Sequence, residues 1–455
     1  MVVVRQVHGG IGLRRGFVLI ILALVLCECV SFAGESKVKI DANIVSDKPA
    51  LNYVIEVPYK LVVNLANGED SDITITKVEV SCSEPKGLVI QAKLQGEAPT
   101  LIPKNGVVSL TFDLSFPKEA AGKEVTLVAR VDYERGKFSG YSGFRFTQFV
   151  APQIELNLLP QRSVLHPHRG VRAAISIINN TDDPFIGTVT ISPYAGIQVN
   201  PAFFDARVDP RGLEVYTYEV TMAKGVIPGH YAVTVDAVGR SKEWAAVEVP
   251  LAIKRAPKVV IDGDLDDWKD ATKIAIQPSS LDGKPVQSVY AAFAYFAYDA
   301  DNLYIAYDVP DPEHVDAYSS KMLSAGDCIT MGFDPQFNGA ASSAGGYRED
   351  DYEYQLSTMR GKPVLVRARA PKGISRGPLG KSAKVAFKHD GKRSQYEMVL
   401  PWTEIKPFKP ANDTYFGLAI KIEDAGRSNV TSVEWGGGMG KVRDPRLFLP
   451  VMLLD

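Results

Sequence analysis

The sequence predicts an all-β protein with three consecutive β-sandwich domains that follow a signal peptide. Short runs in which apolar and polar residues alternate recur along the chain, as in 73–80 and 125–131, with turn residues between them. This period of two is typical of strands with one buried face. Helical periodicity is nearly missing, and 455 residues are too many for one hydrophobic core. The predicted domains are 37–150, 153–255 and 257–455.

Residues 1–33 have the layout of a secretory signal peptide. Three arginines precede an uninterrupted apolar run from Phe17 to Leu26, and small residues follow at Ser31 and Ala33. The run is shorter than the roughly 20 residues that a membrane-spanning helix needs. No later segment is apolar enough to span a membrane. We therefore expect an exported protein that is secreted, periplasmic or held at the cell surface.

Charge and cysteine content argue against two classes of protein. The chain carries 51 basic and 53 acidic residues. It therefore lacks the excess of cations with which proteins bind nucleic acid. After the signal, the cysteines are Cys82 and Cys328, which lie in different predicted domains. Without a disulfide framework, stability must come from packed cores.

The second predicted domain carries a Pro-Gly turn that leads through Tyr231 into an alternating strand. In this respect it resembles the immunoglobulin-like modules attached to many secreted bacterial glycan-processing proteins. His166 and His168 suggest a metal pair, but no third ligand stands near them in the sequence. A surface loop is the better interpretation of this pair.

The C-terminal domain carries an ordered series of landmarks, which opens with an Asp-rich turn that ends at Trp268. The later ones are a strand ending in Asp-Pro (301–312), a strand between two aspartates (326–334), a Tyr-Glu to Pro-Trp strand (396–402) and a closing Arg-Asp-Pro (443–445). In this series the chain resembles the family 9 carbohydrate-binding modules, a sandwich related to the DOMON fold. The resemblance implies a carbohydrate-binding protein that assists polysaccharide breakdown, a carbohydrate catabolic process.

In that family two tryptophans sandwich the terminal sugar ring, and charged side chains hold its hydroxyls. This sequence departs from the pattern, since Ser324 and Val442 stand at the two tryptophan positions. Thr330 and Gln355 stand where the family has its acidic acceptor and its arginine. The sequence therefore matches the scaffold of the family but lacks the two tryptophans and most of the polar residues that hold the sugar in it.

The resemblance and the polar residues nearby lead us to predict a rebuilt sugar site with Arg443, Gln355 and Glu353 as its contacts. Four tyrosines offer replacement aromatic surfaces: Tyr318, Tyr347, Tyr352 and Tyr354. The last two alternate with polar residues along one predicted strand, which fits a core stripe at least as well as a sugar platform.

A structural calcium ion is the one cofactor that the resemblance suggests. Asp311 and Asp327 match family positions near calcium, and carboxylate oxygens suit that ion. Simple turn capping by the two aspartates is the alternative. The acidic run 348–351 offers further ligands or is a solvated loop.

Three functions stay open, and binding of a glycan or polysaccharide is favoured. Catalysis is not expected, although relatives of such modules are often fused to glycoside hydrolases, because the sequence shows no nucleophile elbow, zinc motif or barrel pattern. The second function is that of a structural or adhesive surface protein that has lost sugar binding. The third is a haem-binding DOMON-type redox module with axial ligands from Met322, Met331, Met359, His314 and His389. The sequence identifies no protein partner.

Overall fold

The computed structural model describes residues 37–45, 53–97, 100–255, 259–276, 292–339, 346–426 and 431–455. The predicted signal peptide lies outside these residues. In the described part nearly all of the regular secondary structure is β-strand, and the helices are short 3-10 segments. The predicted all-β fold class is confirmed. None of the described helices has the length and apolarity needed to cross a membrane.

The first sandwich packs a four-stranded sheet, in the order β1-β3-β7-β5, against a five-stranded sheet, in the order β2-β9-β8-β4-β6. Its strands are β1 (Val38–Val45), β2 (Tyr53–Val54), β3 (Tyr59–Asn67), β4 (Ile73–Glu84), β5 (Gln91–Leu94), β6 (Leu101–Ile102), β7 (Val107–Ser115), β8 (Lys123–Arg135) and β9 (Phe138–Ala151), with a 3-10 helix at Lys118–Ala120. Alternate residues such as Leu61, Val63 and Leu65 are fully buried. This is the inward face that the period-two pattern predicts.

The second sandwich has sheets in the orders β10-β12-β16-β14 and β11-β18-β17-β13-β15. Its strands are β10 (Ile154–Leu159), β11 (Arg162–Val164), β12 (Val171–Asn179), β13 (Phe185–Pro193), β14 (Ile197–Asn200), β15 (Phe203–Val208), β16 (Leu213–Met222), β17 (Gly229–Ala237) and β18 (Ser241–Val249). Both sheets bury one face, with Ile175 from the first and Val189 and Val235 from the second fully buried.

The C-terminal sandwich contains an eight-stranded sheet, in the order β19-β31-β29-β23-β24-β25-β26 with β30 also on β29, and a five-stranded sheet, in the order β20-β21-β22-β28-β27. Its strands are β19 (Leu251–Lys254), β20 (Thr272–Ile276), β21 (Ala292–Tyr298), β22 (Asn302–Pro310), β23 (Cys328–Asp334), β24 (Tyr352–Met359), β25 (Lys362–Arg369), β26 (Gly377–Pro378), β27 (Lys384–His389), β28 (Arg393–Pro401), β29 (Tyr415–Asp424), β30 (Thr431–Trp435) and β31 (Leu449–Leu454). The 3-10 helices are Asp266–Trp268, Leu323–Ala325, Gly380–Ser382, Trp402–Ile405 and Pro445–Leu447.

The chain falls into two compact units, and the second sandwich and the C-terminal domain belong mainly to the same one (156–178 with 184–455). Within this unit β19, which the sequence placed in the second domain, pairs in parallel with β31. His166 also contacts the C-terminal domain, since its Nε2 lies 2.8 Å from a carboxylate oxygen of Asp413. The second sandwich is thus joined to the C-terminal domain by a strand pair and a loop.

The Asp-rich turn before β20 is closed by a buried carboxylate. The indole N–H of Trp268 donates to one oxygen of Glu397 at 2.6 Å, and the other oxygen accepts the backbone N–H groups of Asp262 and Gly263. Gly263 has φ of +94°, a conformation that favours glycine. Trp268 is buried, so the turn and the indole close one end of the domain.

Candidate functional site

The outer face of the eight-stranded sheet carries a row of four aligned polar residues. In order across neighbouring strands these are Gln355, Thr330, Lys421 and Glu434. Their neighbours along each strand pack into the core. Because side chains alternate between the two faces of a sheet, the four point away from the core. We call them the polar row.

The polar row offers several kinds of hydrogen-bonding group. Gln355, Lys421 and Glu434 are half-buried, while Thr330 is buried. The Lys421 ammonium pairs with Glu423, on the same strand, and Glu434 accepts the backbone N–H of Met439 at 2.7 Å. Burial raises the pKa of Glu434. The row thus presents an amide, an ammonium and a carboxylate, the last two positioned by their own contacts.

Apolar residues cover the outer face on both sides of the polar row. On one side Phe448 and Met439 pack onto Gly332 so closely that a Cβ there would lie 2.5 Å from the Phe448 ring. On the other side Leu323 packs on Cys328. Gly332 and Cys328 are four positions apart on β23. The points at which the two walls contact this strand are therefore about 13 Å apart. We call the polar row and these two walls the groove.

The structure brings the predicted contacts Arg443 and Glu353 together at the Phe448 side of the groove. Nε of Arg443 donates to Oε2 of Glu353 at 2.8 Å, and the Tyr347 hydroxyl donates to the same oxygen at 2.7 Å. Glu353 is only 8% exposed. Burial, and then the Glu353 charge, raise the pKa of Tyr347. This pair therefore holds the wall together.

The third predicted contact, Gln355, lies two residues beyond Glu353 on β24 and belongs to the polar row. All three predicted residues therefore lie at one face of one sheet. Their contact with a sugar stays a prediction. Lys421 and Glu434 were not predicted as site residues, although each alternates with apolar neighbours that point into the core.

Tryptophan is absent from the groove in the described part of the domain. Trp268 and Trp402 are buried, and Trp435 packs against the core. At the two positions where the family has tryptophans, Ser324 is exposed beside the Leu323 wall, and Val442 is 74% exposed next to Arg443. Both positions are therefore open to solvent without an aromatic ring.

The tyrosines considered as replacements divide into three kinds. Tyr352 and Tyr354 are fully buried, which confirms the core stripe for both. Tyr347 is committed to Glu353 and packs edge-on against Phe448. Tyr318 is 92% exposed, in the segment that leads to Leu323. Of the four, Tyr318 alone presents a free aromatic surface.

Asp311 and Asp327, the predicted calcium ligands, lie on either side of His314. Nδ1 of His314 is 3.0 Å from an oxygen of Asp311 and 3.1 Å from one of Asp327. Burial opposes a charge on His314, but the hydrogen bonds and charges of the two carboxylates outweigh it and raise its pKa to about 9. The hydroxyl of Ser394 donates to Asp311 at 2.6 Å, and backbone N–H groups donate to both oxygens of Asp327 at 2.7 Å.

These surroundings do not fit Ca²⁺, which takes about six to eight oxygen ligands and no imidazole. At Asp311 and Asp327 an imidazolium stands between the carboxylates, and hydroxyl and backbone donors occupy their remaining acceptor positions. The capping alternative describes these contacts better. Calcium at this pair stays an untested prediction that the geometry disfavours.

The candidate haem ligands His314 and Met331 are engaged elsewhere. Nδ1 of His314 faces the two carboxylates, and its Nε2 lies 2.6 Å from the hydroxyl of Thr358. Met331 is fully buried in the core between the two sheets. Their surroundings give no support to the haem-binding alternative.

Comparison with known proteins finds a family match for the C-terminal domain. Residues 261–453 match the family described as carbohydrate family 9 binding domain-like. Similar solved structures include a family 9 carbohydrate-binding module from Caldicellulosiruptor kristjanssonii in complex with cellotriose, at 18% identity over 45% of this chain and 94% of that chain, with a TM-score of 0.34. The same organism's module in complex with glucose gives 19% identity, 44% and 95% coverage and a TM-score of 0.34. No curated protein matches. The family match confirms the predicted resemblance.

Proposed function

Because residues 261–453 match the family described as carbohydrate family 9 binding domain-like, we propose that the protein binds a glycan in the groove, through hydrogen bonds and without a tryptophan sandwich. The observation that carries this proposal is the polar row between two apolar walls. Sugar hydroxyls require fixed polar partners, and the apolar faces of the ring pack on apolar side chains. The groove offers both within about 13 Å.

The positions of the charged groups favour recognition of hydroxyls. Lys421 is paired with Glu423, and Glu434 is held by a backbone N–H. Groups that are already oriented lose little entropy when a ligand binds. Gln355 supplies both a donor and an acceptor. We expect weak binding, with a Kd on the order of 1 mM, because the stacking energy of two indoles is missing.

We further propose that the protein acts outside the cytoplasm as an accessory in polysaccharide breakdown. The arginines and the apolar run within residues 1–33 support export. The two preceding sandwiches suit a spacer role. Identification of the mature N-terminus in protein recovered from the secreting cells tests export, and a start at residue 1 would contradict it.

Calorimetric titration of the purified full chain with a panel of soluble oligosaccharides tests glycan binding. At least one class of glycan should bind, and Gln355→Ala and Lys421→Ala should each weaken it by about tenfold, or about 1.4 kcal/mol. Lys381→Ala, at an exposed position outside the groove, is the control and should bind as the unchanged protein does. If no glycan binds while scanning calorimetry shows a folded C-terminal domain, the proposal fails.

One observation favours a second function, that of a structural or adhesive surface protein. The Arg443–Glu353 and Lys421–Glu423 ion pairs satisfy charges that a bound sugar would otherwise engage. Because the polar groups of this domain already have partners within the protein, the domain can serve as a structural element without a bound sugar. The oligosaccharide titration separates the two functions, since only the first predicts a loss of binding in the groove variants.

A further inference from the structure

The second sandwich exposes a tryptophan on the outer face of one of its sheets. Trp244 lies on β18 and is 66% exposed, whereas Trp268 and Trp402 are buried and Trp435 is half-buried. Its indole forms no hydrogen bond or ring contact with any residue that the structure describes. An indole combines a large apolar surface with an N–H donor, and both are available to a ligand here.

Polar and aromatic side chains continue from Trp244 across the same sheet. Trp244 lies opposite Thr234 on β17, and Thr234 lies opposite Ser192 on β13. Two residues before Ser192, Thr190 lies opposite Phe203 on β15, and Phe203 is 63% exposed. The two aromatic residues are therefore about 16 Å apart, with three hydroxyl groups between them. We call these five residues the aromatic face.

The aromatic face points away from the core of the second sandwich. Residues that alternate with its members, such as Ala245, Val235 and Ile191, are buried. Side chains alternate between the two faces of a sheet, so the five members share the outer face. A ligand can therefore reach both aromatic rings and the hydroxyl groups together.

We propose that the aromatic face is a second glycan-binding site, which takes an extended β-linked polysaccharide chain. In such a chain the ring hydroxyls point sideways and the C–H faces are free, so a sugar ring can lie flat on an indole. The three hydroxyl groups between the aromatic rings supply donors and acceptors for the sugar hydroxyls. This site goes beyond the glycan proposed for the groove, because it lies in another domain and uses no residue of the groove.

A second copy of the protein fits the aromatic face less well than a sugar does. A stable dimer needs about 800 Å² of surface per partner, with an apolar centre in which charged residues are depleted. The centre of this face consists of hydroxyl groups, and Asp236 lies among them, between Thr190 and the exposed Lys242. Sugar hydroxyls form hydrogen bonds to all of these groups.

The outer face that carries Trp244 continues into the contact with the C-terminal domain. Glu248 lies four residues after Trp244 on β18, about 13 Å along the strand, and is 2% exposed. Its partner His230 places Nε2 3.0 Å from the carbonyl oxygen of Leu447, the residue before Phe448 of the groove wall. Both domains belong mainly to one compact unit. Binding of one polysaccharide particle by both sites would therefore raise the overall affinity.

Retention of the purified full chain on insoluble cellulose and on insoluble xylan tests the site. Trp244→Ala should lower the partition coefficient on at least one of them by about tenfold, and Phe203→Ala by about threefold, because each removes a stacking surface. Phe138→Ala removes an exposed ring from the first sandwich and is the matched control, which should be retained as the unchanged protein is. No retention of the unchanged protein, or equal retention of Trp244→Ala, would overturn the proposal.

Fluorescence quenching reports on Trp244 in the unchanged protein. Trp244 is the most exposed of the four tryptophans, so iodide should quench mainly its emission, and Trp244→Phe should lose the quenched component. Cellohexaose or xylohexaose should abolish most of this quenching, because a stacked sugar shields the indole from iodide. Quenching that neither hexasaccharide changes would contradict the site, even if the alanine variant fails to fold.

The groove and the aromatic face can fail separately. If the groove proposal alone is wrong, Gln355→Ala leaves soluble oligosaccharide binding unchanged, while Trp244→Ala still lowers retention. If the aromatic face alone is wrong, the reverse holds. Sedimentation velocity covers the remaining occupant: a dimer that Trp244→Ala dissociates, with unchanged retention on both polysaccharides, would make this face an interface between copies and refute the glycan site.

Discussion

His314 and Asp327 form a largely buried ion pair in the C-terminal domain, with Nδ1 of the imidazole 3.1 Å from a carboxylate oxygen. Asp311 completes the contact from the other side at 3.0 Å. His314 thus links Asp311, which follows β22, to Asp327, which precedes β23. The pair makes the stability of the domain dependent on the charge of one imidazole.

This arrangement predicts a loss of stability at alkaline pH. The folded-state pKa of His314, about 9, lies above the ordinary value of 6.5. Its contribution to the free energy of unfolding, about 3 kcal/mol, is therefore complete below about pH 6.5 and is lost as pH rises through about 9. Denaturant unfolding at several pH values, compared with His314→Gln, measures it. The variant should show a flatter profile, and two parallel profiles would contradict the prediction.

Glu397 should be among the most sensitive positions of the C-terminal domain. Glu397→Ala leaves the Trp268 indole and two backbone N–H groups without their acceptor. We expect the free energy of unfolding to fall by about 3 kcal/mol or more, because each unsatisfied buried donor costs about 1–3 kcal/mol. Chemical denaturation monitored by tryptophan fluorescence measures the loss. Glu313→Ala, at an exposed position, is the control and should change little; equal effects would rule out the role of Glu397.

Arg443 and Glu353 should be energetically coupled. Removal of Arg443 leaves a nearly buried carboxylate whose remaining side-chain partner among the described residues is the Tyr347 hydroxyl. A double-mutant cycle with Arg443→Ala and Glu353→Ala should give a coupling energy of about 1–3 kcal/mol. The exposed Lys77–Glu79 pair serves as a comparison and should give below about 1 kcal/mol. No coupling at Arg443 would mean that the contact does not stabilise the wall.

Restoring an aromatic ring should strengthen glycan binding. Ser324 and Val442 are exposed beside the two walls of the groove, so a tryptophan at either position has room to stack on a sugar face. Ser324→Trp or Val442→Trp should tighten the Kd of a glycan that binds the groove by about tenfold. Lys381→Trp controls for nonspecific stacking. Unchanged affinity in both groove variants would place the sugar elsewhere.

The alternation of apolar residues was sufficient to predict the fold class and several of the strands. Tyr352 and Tyr354 illustrate the reason. The alternation of apolar and polar residues within their own strand predicts that both side chains are buried, as they are. The polar row was harder to predict. It depends on which residue of β29 lies opposite Thr330, and a single strand carries no information about that register. Gln355 was predicted because it stands where the family has its arginine, whereas no family position pointed to Lys421.

The partners of His314 were equally hidden in the sequence. Asp327 lies 12 residues beyond Val315, whose backbone N–H it accepts. Ser394 is 80 residues from His314, although its hydroxyl lies 3.3 Å from the imidazole. A histidine in a turn gave no sign of two carboxylates around it. His314 becomes a charged imidazole between two carboxylates only when the fold brings these separate segments together.

The parallel pairing of β19 with β31 has a practical consequence for producing the C-terminal domain alone. A recombinant fragment that starts at residue 257 would lack Leu251 and Ile253, both of which are buried in the domain's main core. Its last strand would then present a bare apolar edge, which invites aggregation between molecules. A fragment that begins ahead of Leu251 keeps this edge covered and should be the more soluble reagent.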